Sequence, residues 1–403
     1  MNRYLKTGTV ALLALLAGCT EADKFNPDRE IVLFSGTDST PLIKVDSGEY
    51  GLTVSATGKA TEDVTVYVEY DKSALESYNA AHKTTYQAVP ESAIELESKS
   101  MVIRQGQVLS SINNVSIRNY DYVQDGYIYV IPLSISRVEG GSYEILETSK
   151  SILVRPTQEY RFHALDVNNS NLSSNYIFKD EQAIELSTYT YEIKFYAYSL
   201  KDTGTDMICR LCAWEAKDES KANMLRFGEN GYPGHSLQLV SPAGNIVSAT
   251  EFDPGKWYML SLVYDGSAMV MYVNGVAEPS KGANDGTTTF QRFEMGMSWG
   301  GYCSSQLFSG RIAEVRVWDR ALSVNEMKEG ICGVAPDAEG LRAYWKFNEG
   351  SGHIFHDVTG NGYDMDWSDT WRSTGGNDTL DHLDKGSIAE GQWVKDDLNI
   401  CRN

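Results

Sequence analysis

Positive charge is scarce in this chain. Its 403 residues hold 35 Lys and Arg against 55 Asp and Glu, a net charge of −20. So acidic a body repels phosphate backbones and has few cations to displace their counterions, which excludes nucleic acid as a main partner. Long apolar runs are lacking at the N-terminus: Val10 to Leu16 is too short to cross a bilayer as a helix, which needs about 20 residues. Cysteine is sparse, six in all. Cys209 and Cys212 form a C-x-x-C, yet Cys303, Cys332 and Cys401 are scattered without histidine beside them, so a zinc reading lacks its second ligand pair. Residues 207–214 read as a strand. That places the two sulfurs on opposite faces with Cα atoms about 10 Å apart, beyond the roughly 7 Å limit of a bridge, and buried structural thiols are expected. Catalytic signatures are wanting too. There is no H-E-x-x-H and no P-loop. Gly296-Met297-Ser298-Trp299-Gly300 is a literal G-x-S-x-G, but a nucleophile elbow needs a strand before it and a helix after it. Gly300-Gly301-Tyr302-Cys303-Ser304 is a poor helix start, so a Gly-rich turn is the better reading.

What is present begins with Arg3 and Lys6, the short apolar stretch, and Leu16-Ala17-Gly18-Cys19. A basic start, a short apolar segment and small residues at a cleavage point make a secretory signal. Leu-Ala-Gly-Cys resembles the bacterial lipobox, which implies acylation of Cys19 as the first mature residue. Residues 1–18 are then the lipoprotein signal peptide, and residues 19–29 are a polar tether containing Pro27. Losing Arg3 and Lys6 with the signal takes the net charge from −20 to about −22. Stable anchoring takes more than one lipid chain, each buried methylene contributing about 0.8 kcal/mol. Thr20-Glu21-Ala22-Asp23 resembles surface-export signals of some Gram-negative lipoproteins. The expected location is the outer membrane, lipid-anchored, facing the cell surface.

The mature length suits two domains. From Glu30 to Pro156 the pattern is mostly period-2, as in Val64-Thr-Val-Tyr-Val-Glu-Tyr70 and Tyr127 to Ile135, with Gly, Asn and Asp turns between. One helix, Ser73 to His82, follows Asp71 as its cap. A second strand-rich block starts near residue 157. Val273-Asn274-Gly275-Val276 is a type I′ hairpin signal. Ser323 to Glu329 reads as a short helix, with Ser323 as cap and Glu326 in the capping-box position. Trp257, Trp318, Trp345 and Phe347 fall in strand patterns and are expected in the core.

Three motifs then carry a resemblance. Lys256-Trp257 to Asp265-Gly266 with Met271-Tyr-Val-Asn274-Gly275, Phe308 to Ser323, and Leu341 to Gly352 continuing to Gly362 resemble laminin-G-like, concanavalin-A-like jelly rolls. The block 30–156 resembles the immunoglobulin-like domain of unknown function that opens many Gram-negative surface lipoproteins. Its carriers are Asp63-Val-Thr-Val, the Asp71 to Asn79 helix, Val89-Pro90-Glu-Ser92 and Tyr129-Val130-Ile-Pro132-Leu. The implied fold is all-β, an immunoglobulin-like sandwich at 30–156 followed by a jelly-roll sandwich at 157–403. The lipobox and domain order resemble lipoproteins of glycan-utilisation systems, so other outer-membrane glycan-uptake proteins are implied partners.

Some concanavalin-like jelly rolls hydrolyse glycans with Glu-x-Asp-x-x-Glu on one strand; that spacing is absent, so a non-catalytic protein is expected. Tyr232, Trp299, Tyr302, Trp367 and Trp371 fall in Gly-, Ser- or Asp-rich segments that read as loops, and they are the candidate ligand-binding residues for a polysaccharide or glycoprotein glycan. Asp357, Asn361, Asp364 and Asp366 surround a Gly-rich turn and offer oxygens of the kind calcium takes. Related jelly rolls often hold a structural calcium near their chain ends. His353 and His356 decorate the same turn. Two other classes stay open: a structural or adhesive lipoprotein binding a protein partner, and a glycoside hydrolase with two carboxylates about 5 to 10 Å apart.

Overall fold

A computed structural model describes residues 30–37, 40–46, 48–124, 126–157, 159–168, 172–201, 207–298, 305–373, 380–382 and 392–402. The chain divides into two compact units, Met1–Tyr122 with Tyr129–Pro156, and Val123–Ile128 with Thr157–Asn403.

In the first unit, β1 (Leu42–Val45), β2 (Val64–Tyr70), β3 (Ser100–Ile103), β4 (Tyr129–Glu139) and β5 (Ser151–Pro156) form a sheet in the order β1-β5-β4-β2-β3. Shorter sheets contain Ile31–Phe34 with Val54–Ala56, and Glu49–Leu52 with Asn113–Ile117. The period-2 signal decides what faces inward: Val64, Val66 and Val68 are buried with Val32, Phe34 and Val54. Helix α1 (Lys72–His82) begins where the Asp71 carboxylate accepts the amides of Ser73 and Ala74 at 3.0 and 3.3 Å. It ends at Lys83 in the left-handed region. The expected helix and its cap are both present.

The second unit is a two-sheet sandwich. Its strands are β6 (Glu159–Asp166), β7 (Ser174–Ile177), β8 (Tyr189–Ala197), β9 (Cys209–Glu215), β10 (Asn223–Phe227), β11 (Ser236–Ser241), β12 (Gly244–Glu251), β13 (Trp257–Tyr264), β14 (Met269–Val273), β15 (Val276–Gly282), β16 (Arg292–Met295), β17 (Gly310–Trp318), β18 (Leu341–Trp345) and β19 (Trp393–Arg402). The larger sheet runs β15-β14-β13-β8-β17-β6-β19 with β18 beside β17, and the smaller runs β7-β16-β9-β10-β11-β12. Side chains from both sheets meet between them: Tyr191 stacks on Trp214 at 5.0 Å, and Phe293 on Trp345 at 6.1 Å. Each large apolar side chain buried this way contributes about 2 to 3 kcal/mol of transfer free energy. Between β14 and β15, Asn274 and Gly275 have φ of 50° and 73°, as the hairpin signal requires.

On the outer side of the larger sheet lies α2 (Val324–Glu329), started by a reciprocal box between Ser323 and Glu326. Met327 packs with Val263, Trp318, Leu322 and Leu341. Beside them Arg316, fully buried, bonds Glu192 at 3.1 Å, Glu314, and the Gly330 carbonyl at 2.8 Å, which ties the turn after α2 to the sheet. Cys332, in that turn, is disulfide-bonded, a pairing that scattered cysteines did not announce. Cys209 and Cys212 are buried free thiols, as expected. The opposite-face geometry is corrected: a β-bulge between Arg210 and Cys212 shifts the register, and both thiols join the core.

Candidate functional site

Three connections of the second unit converge at one end of the sandwich. The Lys201 ammonium donates to the Ile208 carbonyl at 3.2 Å and to the Ser305 carbonyl. The Arg210 amide donates to the Gln306 carbonyl at 2.8 Å. A Cβ on Gly234 would sit 1.6 Å from the Lys201 carbonyl oxygen, so two loops lie backbone against backbone there. Gly228, in the left-handed region, opens the turn to Tyr232.

On that frame sits a polar group. Arg226 donates from Nε to the Ser298 hydroxyl at 3.0 Å and from Nη1 to Glu229 at 3.0 Å. Arg210 holds the Ser298 carbonyl at 2.9 Å. Exposed Asn230 reaches Gln238 at 3.3 Å. Tyr232 projects beside them, 42% exposed. Ser298 is fully buried and its hydroxyl accepts from a guanidinium, which lowers the electron density a nucleophile needs. It is a fastening point for the segment that follows.

Of the five expected aromatics, Tyr232 is on the surface as anticipated. Trp299 and Tyr302 lie outside the described residues, as does Cys19. Trp371 opens the strand Trp371–Ser373, paired with Leu380–His382. Trp367 is corrected: it is fully buried, donates to the Leu172 carbonyl at 3.0 Å and packs against Phe355 at 5.4 Å. The Asp-rich surroundings suggested a loop, but the short turn Trp367–Asp369 points this indole into the core. Trp257 is corrected in the other direction. Tyr258, Leu260 and Leu262 face the core, so strand parity turns Trp257 outward, where it is half-buried.

The four oxygen-bearing residues form a turn network that does not fit calcium. Asp357 accepts the amides of Tyr344, Thr359 and Tyr363 at 3.1 to 3.2 Å, and the Thr359 hydroxyl. Asp364 accepts the Asp357 amide at 2.7 Å and meets His356 at 3.3 Å. Asp366 caps Ser368, and the Asn361 side chain donates to the Arg342 carbonyl. The carboxylate oxygens that accept these bonds are committed to separate partners, whereas calcium takes six to eight pooled in one shell. Among the described residues no group of three His, Cys, Asp or Glu is placed to hold a metal.

A carboxylate pair does occur, on the outer face of the smaller sheet. Arg292 bridges Glu215 at 3.1 Å, Glu294 at 2.8 Å and Glu219 at 2.8 Å. Burial, and then the Glu294 charge, push the Glu215 carboxyl up to about 8. The side chains of Glu215 and Glu294 have 0% exposure, so as arranged they meet no substrate. Sequence spacing missed this group because its members come from different strands.

Residues 169–328 match the Concanavalin A-like lectin/glucanases superfamily, and residues 28–142 match a family described as an N-terminal domain. The chain therefore carries a laminin-G-like, concanavalin-A-like domain behind an N-terminal β domain. A protein of Bacteroides ovatus, provisionally described as carbohydrate binding, shares the fold with a TM-score of 0.54 at 22% identity, over 88% of this chain and 98% of its own. A heptameric SAP-like pentraxin from Limulus polyphemus has a TM-score of 0.36 at 15% identity, over 56% of this chain and 95% of its own. A domain of AbnA, an extracellular arabinanase of Geobacillus stearothermophilus solved with arabinotriose, has a TM-score of 0.28 at 20% identity, over 36% and 67%. No curated protein matches the chain.

Proposed function

We propose that this is a non-catalytic, lipid-anchored protein of the cell surface whose second unit binds extracellular glycans. The observation that carries the reading is Tyr232, exposed on the same turn as Asn230 and Glu229, which buried Gln238 and Arg226 hold in place. Sugar recognition needs such a pair of elements: a flat aromatic face for the ring's C–H edges, and planar polar groups for its hydroxyls. Trp299 and Tyr302 follow Ser298 in the sequence, which Arg226 and Arg210 fasten to this end, and the proposal includes them as ligand-binding residues. The lectin-type fold supports it, as does the carbohydrate binding ascribed to the Bacteroides ovatus neighbour. A shallow site of this kind is expected to bind with Kd from about 1 mM to 1 μM.

The test is calorimetric titration of the folded chain with a glycan panel, beside Tyr232→Ala and a Trp299→Ala, Tyr302→Ala variant. Binding weakened in the variants supports the reading, and no binding to any glycan rejects it. The adhesive reading has its own support in the first unit, which exposes Leu109, Ile112 and Tyr120 at 54, 65 and 50%. Pull-down from outer-membrane extracts, with and without competing glycan, separates the two. Release of reducing sugar by purified protein would instead favour the hydrolase reading.

A further inference from the structure

Helix α2 and the turn after it cover only part of the larger sheet's outer face. Toward the other end of the strands, one cross-strand row is left half-buried. It runs Trp257 on β13, Tyr196 on β8, Arg311 on β17 and Asp166 on β6, each the register partner of the next. The Trp257 and Tyr196 rings lie 5.6 Å apart. The Arg311 guanidinium carbon stands 5.2 Å from the Tyr196 ring and 5.3 Å from that of Tyr198, just beyond the strand. Arg311 donates from Nε to the Tyr198 hydroxyl at 2.7 Å, and that hydroxyl donates to Asp166 at 3.1 Å.

We propose that this row is a second carbohydrate platform, on which Trp257 and Tyr196 stack a neutral pyranose while Arg311 and Asp166 take its hydroxyls. The proposal rests on the glycan-binding reading and adds a site on a different surface. Three features support it. The rings are held by neighbours on rigid strands, so little side-chain freedom is lost on binding. The Arg311 guanidinium lies over the Tyr196 ring and the Trp257 ring is inclined to it at 56°, so planar donors and apolar faces meet in one row. Within the row the charges are matched, Arg311 opposite Asp166, so the row itself favours neither an acidic nor a basic ligand.

Soluble neutral polysaccharides (glucan, mannan, galactan, arabinan) are the probes, titrated into the folded chain with tryptophan emission and acrylamide quenching as readouts. Trp214, Trp318, Trp345, Trp367 and Trp393 are buried, and Trp299 and Trp371 are common to both proteins, so quenching at Trp257 is read as the difference between the parent and Trp257→Phe. The expected results are protection of Trp257 on saturation and affinity about tenfold weaker in Trp257→Ala, the scale of truncating an interface aromatic. Trp257→Phe, which keeps a ring, should retain most of the affinity and reports on folding. Glycan binding that depends on Tyr232, with Trp257 unprotected and Trp257→Phe and Trp257→Ala indistinguishable from the parent, overturns this platform and leaves the first reading standing. Failure of the parent protein to bind any glycan removes both.

Discussion

A carboxyl held up to about 8 inside a folded sheet makes stability depend on pH. Glu215 is that group, raised from an ordinary 4.5 by burial and by the Glu294 charge. Between those two values the folded state binds a proton that the unfolded chain releases, so stability from this group is full below about 4.5 and is lost as pH rises through about 8. Replacing it by Gln removes the titration. The Glu215→Gln protein should therefore show a shallower fall of Tm between these pH values than the parent, by differential scanning fluorimetry; parallel curves would refute the assignment. Asp357 argues the opposite way. Its carboxylate satisfies three backbone amides in one turn. Asp357→Ala leaves buried donors unpaired, at about 1 to 3 kcal/mol for each. A loss of about 3 kcal/mol or more is expected in urea unfolding of the second unit. Because those oxygens are committed, added calcium or chelator should leave the parent's transition where it is.

At the scale of elements, the loop end of the second unit is held by close backbone approach as well as by hydrogen bonds. Gly234→Ala would drive a methyl to 1.6 Å from the Lys201 carbonyl, so the loop bearing Tyr232 must move. Overpacking of this kind costs about 1 to 3 kcal/mol, and glycan affinity should fall with it. A variant with unchanged Tm and affinity would show that the loops are not coupled. Elements of this sort were only partly legible in the sequence. The Asp71 and Ser323 caps and the Asn274-Gly275 turn could be read because each is a local device of a few residues. The same holds for the alternation in Val64 to Tyr70. Trp257 and Trp367 were misplaced because their depth depends on which strand face or turn neighbour meets them, which composition does not record. The bulge at Cys212 and the Arg292 cluster were hidden for a related reason. Both arise from the register in which strands pair, which composition does not record, and a one-residue shift exchanges inside for outside.

For the whole molecule, the charge balance singles out the lipid as the proposed attachment. The net charge of −20, about −22 if the proposed signal is removed, disfavours an electrostatic membrane contact, because an acidic body is repelled by anionic headgroups. Attachment would then rest on acyl chains at Cys19, at about 0.8 kcal/mol for each buried methylene. In the proposal residues 19–29 are the tether, and a segment of that length spans at most roughly 35 Å when extended. The prediction separates lipid from electrostatics. In cells, the parent should partition into the detergent phase and resist high-salt washing, because screening does not weaken hydrophobic insertion. Cys19→Ala should move wholly to the aqueous phase with its glycan affinity intact, since the proposed binding loops lie in the second unit. Protein released by salt, or a Cys19→Ala variant that stays in the detergent phase, would show that something other than an acylated thiol holds this protein to the membrane.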